Sequence, residues 1–389
     1  MILPMSSPDL TDREVQAVLE VLHTPRLSMG PQQEAFEAAV ARRVGAAHAI
    51  AVSSGTAGLH LTVRAAGIAD GDLAVTSPFS FVASSNVLLY ERAVPIFVDV
   101  DPTTGNLDPA QVEEAVHDLL KGGERARRRQ PRRGGGGGTL KAILAVDAFG
   151  QPAEYEPLVQ ESRKHNLALI EDSCEAFGAA HKGKPAGMFG DAGVFAFYPN
   201  KQMTTGEGGM IITDRDDWAA RVRSLRNQGR AVGDTWLQHT ELGYNYRLDE
   251  LSAALGAAQM ERFDELLGRR QRVADWYEER LAEQVGVSTL AISPATTKMS
   301  WFVYVIRFEP GLERDAIARK LEAAGIPSRP YFTPIHLQPY FIERFGYEPG
   351  DFPVAEDLGR RSLALPFSGI MTEEQVEKVC RALREAISG

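Results

Sequence analysis

Short apolar runs alternate along this chain with stretches whose apolar positions recur every three or four residues. Strands are predicted at 48–53, 73–76, 94–98, 142–146, 167–171, 193–197 and 209–213, most of them separated by helical stretches. That alternation predicts an α/β fold on a mostly parallel sheet. The first helix opens on a capping box, Thr11-Asp12-Arg13-Glu14, and carries Val15, Val18, Leu19 and Leu22 on one side. After residue 247 the pattern changes to one long helix over 248–283, with Leu251, Leu255, Met260, Phe263 and Leu266 among its apolar positions. A strand (301–308), a helix (312–324), a proline-rich loop (327–340) and a last helix (372–387) follow. The expected organisation is a large domain over 1–250, onto whose partner the first helix is free to pack. A long linking helix and a smaller C-terminal α/β domain occupy 251–389. No internal repeat is evident.

One polar residue stands out against this pattern. In GVFAFYPNKQMTTGEGGMIITD, residues 193 to 214, Lys201 lies between two apolar runs, Val194–Phe197 and Met210–Ile212, that read as buried strands. Ammonium groups are rarely buried without a partner. A desolvated lysine is a good nucleophile toward carbonyls, as Schiff-base chemistry needs. Most lysines in loops are simply solvated, so the reading depends on the rest of the chain. AIAVSSGTAGLHL (49–61) runs from a strand through a small Ser/Gly/Thr turn into a helix, and such a helix N-terminus offers free N–H groups to a phosphate. LALIEDSCEAFGAA (167–180) is a strand ending in Glu171 and Asp172, where open α/β sheets place their ligands. Taken singly, that carboxylate equally suits a helix N-cap.

Together these segments strongly resemble the DegT/StrS family of pyridoxal-phosphate aminotransferases, the sugar aminotransferases of fold type I. The resemblance runs through RLSMGPQQEAFEAAVARRVG, SSGTAGLHL, SPFSFVASSN, DVDPTTGNLDP, EDSCEAFGA and FYPNKQMTTGEGG. It continues in GYNYRLDELSAALG, SWFVYVIRF, PSRPYFTPIHLQPYF and FPVAEDLGRRSLALPF. It implies that Lys201 forms the Schiff base with pyridoxal 5′-phosphate and later moves protons, and that Asp172 pairs with the pyridinium nitrogen. It further implies that Gly55, Thr56 and Ala57 bind the phosphate and that Phe81 stacks on the ring. Asn245 reaches the phosphate from a neighbouring subunit, so the resemblance implies a homodimer with shared active sites. In the proline-rich loop Tyr331 and His336 are candidate substrate contacts. Arg247 and Arg329 are candidates for a carboxylate or phosphate, which guanidinium binds bidentately. For His336 internal packing is an equal expectation.

The implied reaction takes an amino group from L-glutamate or L-glutamine to a keto group of a nucleotide-linked sugar, with ping-pong kinetics. A cyclitol or another small ketone is the alternative acceptor, and a non-catalytic regulator the remote one. A related branch that dehydrates sugars has histidine in place of the lysine, so Lys201 argues against it. Three positions depart from the family pattern. Ala196 replaces a phosphate-binding serine, a loss of roughly 1.5–3 kcal/mol unless compensated, with Thr204 and Thr205 nearby. Glu175 stands where many members carry glutamine or histidine near the phenolic oxygen, and either raises its own pKa or points away. Asp147 replaces a common histidine.

Composition narrows the setting. The 389 residues suffice for two domains, and 44% hydrophobic with 24% charged residues is ordinary for a soluble protein. Neither a signal peptide nor a membrane span is expected, and the two cysteines, Cys174 and Cys380, fit a reduced, cytoplasmic protein. Cys174 reads as a small buried residue rather than a nucleophile. A net charge of −10 argues against nucleic acid as the main partner. Residues 121–138, KGGERARRRQPRRGGGGG, hold six arginines and one lysine against one glutamate, and are expected to form a flexible surface loop. No metal site is expected.

Overall fold

The computed structural model describes residues 3–135, 137–230 and 238–388. Seven strands form the main sheet: β1 (His48–Val52), β2 (Leu73–Thr76), β3 (Val94–Phe97), β4 (Leu140–Val146), β5 (Ala168–Asp172), β6 (Ala192–Ala196) and β7 (Gly209–Thr213). Their order is β1-β7-β6-β5-β4-β2-β3, and only β7 runs antiparallel to its neighbours. Every residue of β2, β3 and β7 is buried, as expected of strands covered on both faces by crossover helices. The parallel strands therefore present their C-terminal ends along one edge, and Asp172 closes β5 there.

Glycines let the first crossover helix, α1 (Gly55–Ala65), lie directly on this sheet. A Cβ on Gly55 would meet Ala196 Cβ at 2.7 Å and Cys174 Sγ at 2.9 Å, and one on Gly58 would meet Val194 Cγ1 at 2.7 Å. Under β7, a Cβ on Gly209 would strike the Ser54 carbonyl oxygen at 2.5 Å. These positions hold the strand-to-helix turn tight over β6.

A second sheet, β8 (Val287–Thr289), β9 (Tyr304–Phe308) and β10 (Ser362–Leu365), is antiparallel throughout. It shares a separate core with the helices Phe263–Leu281, Arg314–Ala323 and Glu373–Ser388, which Leu3 of the N-terminal segment also joins.

Two expectations are corrected. The long helix is divided into Glu250–Glu261 and Phe263–Leu281 at Arg262, whose φ of −118° leaves the helical region. The break follows from the Arg262 side chain, which reaches back to Asp9 and to Glu14, with Nε 3.1 Å from Glu14 Oε1. The capping-box helix Asp12–Leu22 consequently packs on Glu250–Glu261, and Gln259 Nε2 donates to Glu14 Oε1 at 2.7 Å. Val15, Leu19 and Leu22 are exposed, while Val21 and the Glu14 carboxylate are buried.

The arginine-rich stretch expected as a loop without helix or strand holds a helix over Gly123–Arg129. Gly136 lies outside the described residues. Local acids take up its charge: Arg129 pairs with Glu114 and Asp118, and Arg128 with Glu124. Arg132 then forks onto both oxygens of Asp351 at 2.6 and 2.8 Å, and Arg133 N donates to the Phe345 carbonyl at 3.0 Å. Ion pairs thus tie described parts of a stretch that composition alone reads as loose to the preceding helix and to Asp351. Among the described residues no helix is long and apolar enough to cross a membrane.

Candidate active site

A cavity of about 440 Å³ opens at the C-terminal edge of the main sheet, between it and the second sheet. Ser54, Gly55 and Thr56 form one wall, Asp172 and Ala196 another, and Lys201 a third. Ser54 caps α1, its hydroxyl accepting from Ala57 N at 3.0 Å. The remaining first-turn N–H groups have no acceptor within the helix, so the turn presents donors and positive dipole to this space.

Asp172 is held from two sides. Ser84 Oγ donates to its Oδ2 at 2.6 Å, and Cys174 N donates to its Oδ1 at 3.2 Å. Beneath it, Glu171 points the other way into the protein and accepts from the N–H groups of Gly187, Phe189 and Gly190. Just beyond β4, Asp147 is fully buried and accepts from Ser173 Oγ and Tyr155 OH, each at 2.6 Å, and from Ala153 N at 2.9 Å. Burial pushes its carboxyl up to about 6 against those three donors. Asp147 therefore buttresses the β5 end behind the cavity.

The Lys201 side chain is 13% exposed, and its Nζ stands 3.6 Å from Glu175 Oε1. Glu175 thus faces the lysine. Its other oxygen accepts from Phe149 N at 2.9 Å, and burial raises its pKa while Lys201 opposes the rise. On the opposite side Lys201 Nζ lies 3.8 Å from the centre of the Phe302 ring. Tyr331 lines the cavity, its hydroxyl pushed up to about 12, by burial foremost and by Glu175. Burial raises the Cys174 thiol as well, in keeping with an inert role.

Of the sequence candidates, Gly55, Thr56, Phe81, Asp172, Glu175, Lys201 and Tyr331 converge on this cavity, with Ala57 in the adjoining helical turn. The other four lie elsewhere. Asn245 is exposed on a segment clamped by its neighbours: Tyr244 and Tyr246 stack on each other and meet the His60 ring at a tilt, and the Tyr246 carbonyl accepts from Ser53 N at 2.9 Å. Arg247 Nη1 donates to Asn227 Oδ1 at 2.7 Å. Arg329 pairs its backbone with Ala364 and its guanidinium with the Ser328 carbonyl. His336 is fully buried, 3.0 Å from Glu356 Oε1, which is the packing alternative expected for it. Nor do Thr204 and Thr205 replace the missing serine hydroxyl. They donate to the carbonyls of Phe197 and Glu207 at 3.0 and 2.6 Å.

Sequence reasoning missed Ser84, Phe302 and Arg270, which hold Asp172 and Lys201 in place. Ser84 lay in plain view within SPFSFVASSN. The other two are distant in sequence from what they touch. The residues present fit pyridoxal phosphate: an amine for its aldehyde, a fixed carboxylate for its ring nitrogen, and an open helix N-terminus for its phosphate, all facing one cavity.

Comparison with known proteins agrees. The profile of the DegT/DnrJ/EryC1/StrS aminotransferase family matches residues 8–384. GDP-perosamine synthase of Caulobacter vibrioides is 37% identical over 388 residues, covering 99% of this chain and 98% of that one. Helicobacter pylori PseC, an aminotransferase involved in the biosynthesis of pseudoaminic acid, superimposes with a TM-score of 0.89 at 27% identity, over 100% of both chains. S. venezuelae DesV, solved in complex with a ketimine intermediate, gives a TM-score of 0.86 at 30% identity, over 98% of each.

Proposed function

Because the chain belongs to the DegT/DnrJ/EryC1/StrS aminotransferase family, we propose that it moves an amino group from L-glutamate or L-glutamine to a keto group of a nucleotide-linked sugar. It is an aminotransferase, and its family uses pyridoxal phosphate. When bound, the cofactor supplies an aldehyde for amine exchange and a ring that withdraws electrons. The observation that carries the reading is the meeting of Lys201, Asp172 and the N-terminus of α1 in one cavity.

In this reading Lys201 would hold the cofactor through Nζ and would carry the proton taken from the donor's α-carbon. Asp172, fixed by Ser84, keeps the ring nitrogen protonated. Gly55, Thr56 and Ala57 hold the phosphate, and Phe81 covers the ring. Glu175 balances the lysine's charge, and Tyr331, which lines the same cavity, is the candidate substrate contact. The outward display of Asn245 supports a homodimer in which each subunit completes its neighbour's site. A sugar acceptor is supported by the likeness to GDP-perosamine synthase and to PseC, an aminotransferase of pseudoaminic acid biosynthesis. We place the protein in the cytoplasm, with the large domain over 1–250 and the linking helices and small domain over 251–389.

The test is a visible spectrum of purified protein with pyridoxal phosphate, before and after L-glutamate, beside Lys201→Ala. Wild type is expected to show the absorption of lysine-linked cofactor, bleached by the donor, and the variant to show neither. Initial rates at varied donor and acceptor are expected to give parallel lines. Intersecting lines would overturn the ping-pong order, and absence of the wild-type band would overturn the role of Lys201.

A further inference from the structure

Arg270, on the helix Phe263–Leu281, is buried, and burial lowers its pKa to about 10. Its four hydrogen bonds among the described residues all end on main-chain carbonyls. Nη1 donates to Trp301 O at 3.3 Å and Phe302 O at 3.2 Å. Nη2 donates to Asn200 O at 3.1 Å and to Lys201 O. A buried guanidinium without a carboxylate is unfavourable unless its donors are filled. Here the planar fork fills them from two separate parts of the fold. One side is the lysine loop that follows β6, and the other is the segment leading into β9 of the second sheet.

The consequence lies at the lysine's amine. Arg270 fixes the backbone of Lys201 and the backbone of Phe302 against one another, and the Phe302 ring then faces Nζ at 3.8 Å. Gln202 reinforces the junction. Its Nε2 donates to Glu175 O at 2.5 Å and to Ser300 O at 2.9 Å, tying Glu175 to the same second-sheet segment. The ammonium is therefore held between the Glu175 carboxylate and an aromatic face. An aromatic face attracts a cation through its quadrupole, most strongly where water is excluded.

We propose that Arg270 and Phe302 form a seat for Lys201, in which Arg270 is a positioning residue that clamps the two backbones and Phe302 is the surface on which the amine rests. The second sheet thereby takes a direct part in setting the place and direction of the reacting lysine. This rests on the reading of Lys201 as the cofactor lysine. The titratable groups facing Nζ are Glu175 beside it, then Asp172, Cys174, Glu207 and Tyr331 around the cavity, with Arg270 behind the main chain.

The experiment labels the full chain, stripped of cofactor, with a small amine-reactive reagent at one fixed pH, and reads the labelling rate of the Lys201 peptide by mass spectrometry. Phe302→Leu removes the ring face and keeps the apolar surroundings. Labelling is expected to quicken roughly fivefold as the amine leaves the ring. Phe302→Tyr keeps the ring face and is expected to hold the wild-type rate. Arg270→Lys keeps the charge and loses the fork, and is expected to change the rate in the same direction as Phe302→Leu. In the double variant the change is expected to equal that of Phe302→Leu alone, because both act through one contact. Arg270→Gln replaces Arg270→Lys if the latter lowers the melting temperature. An unchanged rate in Phe302→Leu, or a purely additive double variant, overturns the seat. Addition of pyridoxal phosphate to wild type separates the two claims. If Lys201 is not protected from labelling, the cofactor role fails, whatever the variants show.

Discussion

Glu175 Oε1 stands 3.6 Å from Lys201 Nζ, while the carboxylate's other oxygen takes the Phe149 N–H. A carboxylate so buried binds a proton more readily than in water, and the lysine's charge opposes that only in part. As pH falls through this raised pKa, Glu175 becomes neutral and no longer balances the ammonium. We expect the acid limb of kcat/KM to lie above the usual carboxylate range. In Glu175→Gln that limb should vanish and kcat/KM should fall roughly 10–100-fold, the value of one charge-assisted contact. Persistence of the same limb in the variant would assign it to another group.

Asp172 depends on Ser84 for a 2.6 Å hydrogen bond, and both residues are buried. Ser84→Ala leaves Oδ2 without that donor and free to rotate. The expected result is a loss of about 1–3 kcal/mol in stability. Turnover should decline more than cofactor affinity, since the ring nitrogen matters chiefly as charge develops. Thermal melts of cofactor-free protein and a split of kcat from cofactor Kd check this. Equal effects on both would make Ser84 a packing residue only.

Much of this was legible because the main sheet announces itself locally. β2, β3, β4, β5, β6 and β7 are apolar runs between turns, and Asp172 at the end of β5 and Lys201 in the loop between β6 and β7 inherit their place from the strand pattern. Contacts between sequence-distant segments were not legible. Nothing in SWFVYVIRF says that Phe302 will rest on Lys201, and Arg270 resembles the other arginines of its helix until its four carbonyl partners are known. The break at Arg262 arises from acids some 250 residues upstream. His336 and Arg329 drew attention as polar residues in a proline-rich loop, yet burial with Glu356 and pairing with Ala364 occupy them. Asn245 is exposed between two stacked tyrosines, its backbone bridged to Asn227, a placement set by segments distant in sequence.

Asp147 gives a stability signature. Its carboxyl is raised from 3.8 to about 6 by burial, so the folded state binds its proton more tightly than the unfolded chain does. The stabilisation is therefore complete below pH 4 and is lost as pH rises toward 6, by at most about 3 kcal/mol for this group. Asp147→Asn keeps an acceptor for Tyr155 and Ala153 and has no proton to release. Melting temperatures between pH 4 and 7 should show a decline in wild type that is smaller in the variant. Parallel curves would mean that the three donors at Asp147 hold it ionised throughout.

The last expectation concerns the missing serine. Ala196 lines the cavity at the end of β6, beside the α1 turn, and neither Thr204 nor Thr205 has a hydroxyl left to offer there. Ala196→Ser would place one more O–H donor beside the N–H groups of Gly55 and Thr56. The packing tolerates little, since Ala196 Cβ already defines the limit for a side chain at Gly55, yet the added oxygen has the open cavity to enter. A donor to a charged phosphate is worth roughly 1.5–3 kcal/mol, so pyridoxal phosphate should bind about 10–100-fold more tightly. Equilibrium titration of cofactor-free protein, following quenching of its intrinsic fluorescence, measures this directly. An unchanged Kd would show that the wild-type turn already satisfies the phosphate through its main chain, and that Ala196 is no defect in this site.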